Sequence, residues 1–140
     1  LFIFQKRSEA RQVSFFFHEG ENLPEKFRSD PSKLFQILIN LFENSLRHTA
    51  EKGEIHLSIL SKESSLIFSI KDNGKGIPKD LHDQVFSPFF QVEPSDQKLG
   101  LGLGLSICKG FIDLMGGDIH LESDLDKGTE FILEVKEALD

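Results

Sequence analysis

Apolar and polar positions recur with two different periods along the chain, and the switches between them mark out its elements. Leu1 to Arg11 is mixed in period and reads as the end of a helix. Val13, Phe15 and Phe17 alternate with Ser14, Phe16 and His18, which predicts a strand, and Gly20 with Asn22 then turns the chain. A short second strand is expected over Lys26–Arg28. Asp30-Pro31 starts a helix, because Asp caps free amides and Pro suits the first turn. Leu34, Ile37/Leu38, Leu41 and Ser45 then form one stripe at three- and four-residue steps. Lys33, Gln36, Asn40, Asn44 and Arg47 occupy the other side, and the helix should end near Arg47. Ile55, Leu57 and Ile59, then Leu66, Phe68 and Ile70, alternate with polar neighbours and predict a hairpin.

From Asn73 to Leu101 the only helix-like piece is Lys79–Val85, so this stretch is expected to act as a lid or binding segment. Leu105, Cys108, Ile112 and Met115 predict an amphipathic helix stopped by Gly116-Gly117. Strands over Asp118–Glu122 and Thr129–Val135 complete the chain. The order predicts an α+β fold, an α/β sandwich with one layer of helices on a mixed, mostly antiparallel sheet.

The length of 140 residues fits one domain, residues 1–140. Sixteen Lys and Arg against 23 Asp and Glu give a net charge of −7, which argues against nucleic acid or an anionic membrane as a partner. The single cysteine, Cys108, excludes an internal disulfide framework and any CxxC site, and fits a cytoplasmic setting. It lies on the apolar stripe of its helix, as a buried, inert thiol would. No apolar run approaches the roughly 18 residues of a membrane span. All 14 aromatic rings are Phe, so stacking on a ligand falls to Phe or to one of five His. Those histidines lack zinc-site spacing, and His56 and His120 fall at outward strand positions, where exposure is expected.

Three groups of residues can carry chemistry. The alternation Leu66, Phe68, Ile70 continues in phase to Asp72, so a carboxylate falls on the buried face, where it needs a donor. Asp72-Asn73-Gly74 also suits a plain turn. Asn40, Asn44 and Arg47, at i, i+4 and i+7, line one helix edge, where an amide oxygen suits a magnesium ion that arrives with its nucleotide. A solvated polar face has the same pattern. Gly74 and Gly76, and then Gly100, Gly102 and Gly104 before a helix, allow close approach and present free amides to phosphate, although glycines also serve tight packing. The spacing is neither the dinucleotide fingerprint nor a P-loop.

In order and content these segments resemble the catalytic and ATP-binding domain of bacterial sensor histidine kinases, in the GHKL ATPase superfamily. Asp30 to Thr49 resembles the N box, Asp72-Asn-Gly-Lys-Gly-Ile-Pro78 the first glycine box, and Phe86-Ser-Pro-Phe-Phe90 the F box. Gly100-Leu-Gly-Leu-Gly-Leu-Ser-Ile107 resembles the second glycine box, and Gly128-Thr129-Glu-Phe131 the closing G-T-x-F strand. The resemblance implies a Bergerat-type fold with ATP and Mg²⁺ between helices and sheet. Asp72 would accept the adenine amino hydrogen with support from Thr129, Asn44 would ligate the metal, Asn40 would assist, and Arg47 would meet phosphate. His48 would lie against adenine beside Gly74, Gly76 and Ile77. Gly102, Leu103, Gly104 and Leu105 would form the phosphate-facing helix entry after Gly100, with Phe86 and Phe89 anchoring the lid and Lys98 as its basic residue. Leu99 and Leu101 depart from the family's usual Gly and Thr or Ser.

Asn40 stands where ATP-hydrolysing members of the superfamily carry Glu, and an amide cannot act as a base. Transfer to a separate nucleophile is therefore expected. In the family this is a histidine on a dimerisation domain, with a response regulator served indirectly. His18-Glu19 does not match the phosphoacceptor motif, because Pro24 falls six residues later. The chain is accordingly expected to be a monomeric fragment without that domain, inside a parent that can be membrane-anchored. A nucleotide-dependent interaction module and an ATP-hydrolysing clamp are the competing readings.

Overall fold

The computed structural model describes residues 1–88, 90 and 104–138. Its elements are α1 (Phe2–Ala10), β1 (Ser14–Glu19), α2 (Pro31–His48), β2 (Glu54–Lys62), β3 (Ser65–Asp72), a 3₁₀ segment (Lys79–Gln84), α3 (Gly104–Leu114), β4 (Asp118–Asp124) and β5 (Gly128–Lys136). The strands form one sheet in the order β1-β2-β3-β5-β4. β1 runs parallel to β2, and the crossover this demands contains α2. The remaining pairs are antiparallel, as expected for a mostly antiparallel sheet.

α2 begins where the sequence predicts, with Asp30 Oδ1 accepting from the Lys33 amide at 3.1 Å. At its other end the Thr49 hydroxyl donates to the Ser45 carbonyl at 2.7 Å, satisfying a carbonyl that the helix end leaves open. Ile37, Leu41, Phe42 and Leu46 of α2 are buried with Cys108 and Ile112 of α3, against Ile55, Leu57, Phe68, Ile70, Phe131 and Leu133 of the sheet. Each such side chain removed from water stabilises the fold by about 1.5–3 kcal/mol. Phe4 of α1 joins this core against Phe42, with ring centroids 4.7 Å apart, and Arg7 pairs with Glu43. Cys108 is fully buried, its thiol donates to the Ile37 carbonyl at 3.6 Å, and burial pushes its pKa up to about 12. This is the inert thiol expected.

Two expectations are corrected. Lys26–Arg28 is not a strand. The Arg28 carbonyl accepts from Ala138 at 2.8 Å and Phe27 rests against the core, which ties the segment down without a ladder. His56 is half-buried rather than exposed, because it stacks on Phe16 at 4.7 Å and meets His18 Nε2 through its Nδ1 at 2.8 Å. His120 is exposed as expected.

Candidate functional site

The site grows from the end of β3. One step beyond the Lys71–Glu130 pair, Asp72 falls opposite Thr129 of β5, with its side chain on the helix-facing side like Phe68 and Ile70. Asp72 is only 4% exposed. Its Oδ1 accepts the Gly74 amide at 2.9 Å and the Thr129 amide at 3.2 Å. Both of these bonds fall on one oxygen, so Oδ2 keeps acceptor capacity for an incoming donor. Burial raises the Asp72 pKa above the usual 3.8, and the Gly74 amide, the Ser45 hydroxyl and the Thr129 amide oppose that rise. Ser45 Oγ is fully enclosed and lies near enough to favour the ionised carboxyl, but without the geometry of a full hydrogen bond. The structure thus realises the turn at Asp72-Asn73-Gly74 and the buried acid together.

Backbone packing fixes the loop that follows. A Cβ on Gly74 would lie 2.1 Å from the His48 carbonyl oxygen, and one on Gly76, at φ +75°, 2.0 Å from that of Asp124. The tight contacts these glycines permit are with the chain's own backbone. Lys75 donates its amide to the His48 carbonyl at 3.3 Å, joining the loop to the end of α2. Ile77 is buried, and its amide donates to Ser123 Oγ at 2.8 Å. Gly128, at φ +89°, passes so close to β3 that a Cβ would lie 2.0 Å from the Asp72 carbonyl oxygen.

The second group lies along α2. Asn40 accepts from Gln36 at 3.0 Å and reaches the Gly104 carbonyl at 3.5 Å. Asn44 is 8% exposed, and its Oδ1 accepts from Arg47 Nη2 at 3.2 Å. Arg47 Nε is buried without a hydrogen-bond partner. Asn44 and Arg47 thus bond each other while Asn40 bonds Gln36, whereas Asp72 is held by backbone amides. A hollow of about 330 Å³ opens where Arg47 and His48 face Asn73 and Gly74. A larger one, about 460 Å³, lies near Asp30 and Leu114, and no candidate residue lines it.

Gly104 and Leu105 open α3 at the edge facing Asn40. Phe86 packs edge-on against Phe131, with centroids 6.3 Å apart. Phe89, Lys98, Leu99, Gly100, Leu101, Gly102 and Leu103 lie outside the described residues. Sequence reasoning missed two polar contributors. Ser45 sits on the helical stripe as if it were apolar, and Ser123 falls at an inward strand position beyond the predicted end of β4. A serine in phase with core residues is the signal that both share.

Residues 29–139 match the family described as histidine kinase-, DNA gyrase B-, and HSP90-like ATPase. The chain belongs to this family. It is 38% identical over 130 residues to the alginate biosynthesis sensor protein KinB of Pseudomonas aeruginosa, covering 93% of this chain and 21% of KinB. It is 41% identical over 108 residues to the sensor protein SrrB of Staphylococcus aureus, covering 76% of this chain and 18% of SrrB. Among solved structures, the nucleotide-free catalytic domain of histidine kinase ThkA superposes with a TM-score of 0.82 at 32% identity, over 97% of this chain and 88% of that one. Full-length ShkA in complex with AMPPNP superposes with a TM-score of 0.85 at 28% identity, over 99% of this chain and 29% of that one. Within this ATPase family the chain therefore has the α+β fold of histidine kinase catalytic domains, and the named relatives are sensor kinases. Among the described residues no helix is long and apolar enough to cross a membrane.

Proposed function

We propose that this domain binds ATP with Mg²⁺ between α2 and the sheet and presents the γ-phosphate to a histidine on a separate dimerisation domain. The observation that carries the reading is Asp72, a buried carboxylate with Oδ1 held by two backbone amides and capacity left on Oδ2. It suits the amino group of adenine. Asn40, Asn44 and Arg47 lie along one edge of α2, with hydrogen-bonding groups suited to phosphates. His48, Gly74, Gly76 and Ile77 would border the base, and Gly104 and Leu105 would open onto the phosphates.

Among the described residues no cluster of three or more His, Cys, Asp or Glu could hold a metal alone. The donor set fits magnesium only as a nucleotide-borne ion, with Asn44 supplying one neutral oxygen and phosphates and water the rest. Bound there, the ion would neutralise developing phosphate charge. An amide oxygen has two lone pairs, so Asn44 Oδ1 could keep its bond to Arg47 and still ligate the ion, while other guanidinium donors would meet phosphate.

Asn40 offers an amide and no base, which favours transfer over hydrolysis. Neutral imidazole is already nucleophilic, so positioning and charge neutralisation suffice. The neighbour ThkA is known in complex with the response regulator protein TrrA. A regulator is accordingly the expected downstream acceptor here, and a cytoplasmic setting suits that exchange. Mixing this domain with a purified dimerisation domain and labelled ATP should give an acid-labile, alkali-stable phosphoprotein. Nucleotide binding without any such product would leave an interaction module as the better reading, and rapid phosphate release without a partner would point to a hydrolase.

A further inference from the structure

Ser123 of β4 belongs to none of the motifs in the sequence, yet its hydroxyl makes three close contacts beside the candidate site. The Ile77 amide approaches Ser123 Oγ at 2.8 Å, the Gly128 carbonyl lies at 2.8 Å, and Thr129 Oγ1 at 2.9 Å. A serine hydroxyl has one proton and two lone pairs. The Ile77 amide can only donate and the Gly128 carbonyl can only accept. The Ser123 proton must then point at Gly128, because two bare oxygens at 2.8 Å would repel. One lone pair takes the Ile77 proton. The other is left for Thr129, so in that contact Thr129 is the donor. This arrangement alone places a proton in all three contacts.

The consequence reaches the ligand. Thr129 lies opposite Asp72 and donates its amide to that carboxylate at 3.2 Å. With its hydroxyl proton committed to Ser123, Thr129 Oγ1 has only lone pairs to offer. The buried end then presents two acceptors side by side, the carboxylate and the hydroxyl oxygen. Two acceptors welcome an amino group and repel a carbonyl. We propose that Ser123 is a positioning residue that locks the Thr129 hydroxyl as an acceptor, so that the site selects purines with an amino group at C6 over those with a carbonyl there. The inference rests on the ATP-binding reading above.

The test is a calorimetric titration of the whole chain with ATP and with inosine triphosphate, which carries a carbonyl in place of the C6 amino group. The wild type should favour ATP. In Ser123→Ala the Thr129 hydroxyl is free to turn and donate to a carbonyl, and the ATP preference should fall about tenfold. Ser123→Thr, which keeps a hydroxyl, should restore it. A merely structural role would weaken both nucleotides in parallel and would leave their ratio alone. An unchanged ratio, or parallel losses, in Ser123→Ala would overturn the proposal. If that variant does not fold, Ser123→Cys replaces it, because a thiol is a poor acceptor, and there a wild-type ratio is the contrary result. Failure of the wild type to bind either nucleotide would instead remove the ATP-binding premise.

Discussion

The two sides of the candidate cleft are built on opposite plans. At the β3–β5 end, Asp72 and Thr129 are buried and tied by backbone amides and by Ser123. Along α2, Asn40 bonds Gln36 and reaches the Gly104 carbonyl, Asn44 bonds Arg47, and Arg47 Nε is buried without a partner among the described residues. The first plan fixes its groups through the backbone, which under the proposed function suits discrimination of the base. The second relies on side chains that can turn, which under the same reading suits gripping charged phosphates. Changes at the first end should therefore act on the fold or on base affinity, and changes on α2 on phosphate and metal affinity with little effect on stability.

The largest break in the backbone-held end is Gly128→Ala. Its φ of +89° and the 2.0 Å approach to the Asp72 carbonyl oxygen leave no place for a methyl group. Destabilisation by about 3 kcal/mol or more is expected in thermal or denaturant unfolding. The contrasting change, Gly104→Ala, meets nothing within 4 Å among the described residues and should leave stability within about 0.5 kcal/mol.

Next in size is Asp72→Asn, which should weaken ATP about a hundredfold by removing a charged acceptor, as read by calorimetry. Melting of the free domain should hold or rise, because folding buries an ionised carboxyl at a cost. The sign follows from the raised pKa. Below 3.8 Asp72 is protonated in both folded and unfolded chains and contributes no penalty. The penalty grows as pH rises from there through the raised folded value, and it is complete above it. The stability gap between wild type and Asp72→Asn should therefore widen with pH over that window.

Legibility in the sequence divides along the same line. The strand carrying Asp72 and the helix carrying Asn40, Asn44 and Arg47 follow from periodicity, since a two-residue or 3.6-residue repeat states which face a side chain joins. The helix start at Asp30-Pro31 was equally readable, because a cap acts locally. What periodicity cannot state is which partner a buried polar group finds across the sheet. Ser45 read as part of an apolar stripe and Ser123 lay beyond the predicted end of β4, although both shape the surroundings of Asp72. Lys26–Arg28 lacks a ladder because Arg28 instead meets Glu137 and Ala138, far along the sequence, a long-range relation with no local signal. Gly74 and Gly76 were legible as close approaches, but not that the approaching atoms belong to His48 and Asp124.

On the α2 side the effects should be smaller. Asn44→Ala is expected to cost about tenfold in affinity for ATP with magnesium and clearly less without it, measured in paired titrations. Equal losses would detach Asn44 from the metal. Smallest of all, Asn40→Ala should move stability by no more than about 0.5 kcal/mol, because among the described residues it forfeits the Gln36 bond, a 3.5 Å contact with Gly104 and an interaction with the Cys108 thiol. Partner-free phosphate release should stay as low as in the wild type, since no base has been removed.

The most direct test of the central claim is a crystal structure of this chain with a non-hydrolysable ATP analogue and magnesium. The adenine amino group should lie within hydrogen-bonding distance of Asp72, with the phosphates running along α2 toward Asn44 and Arg47. An analogue seated elsewhere, or a base turned away from Asp72 in an otherwise occupied cleft, would contradict the account.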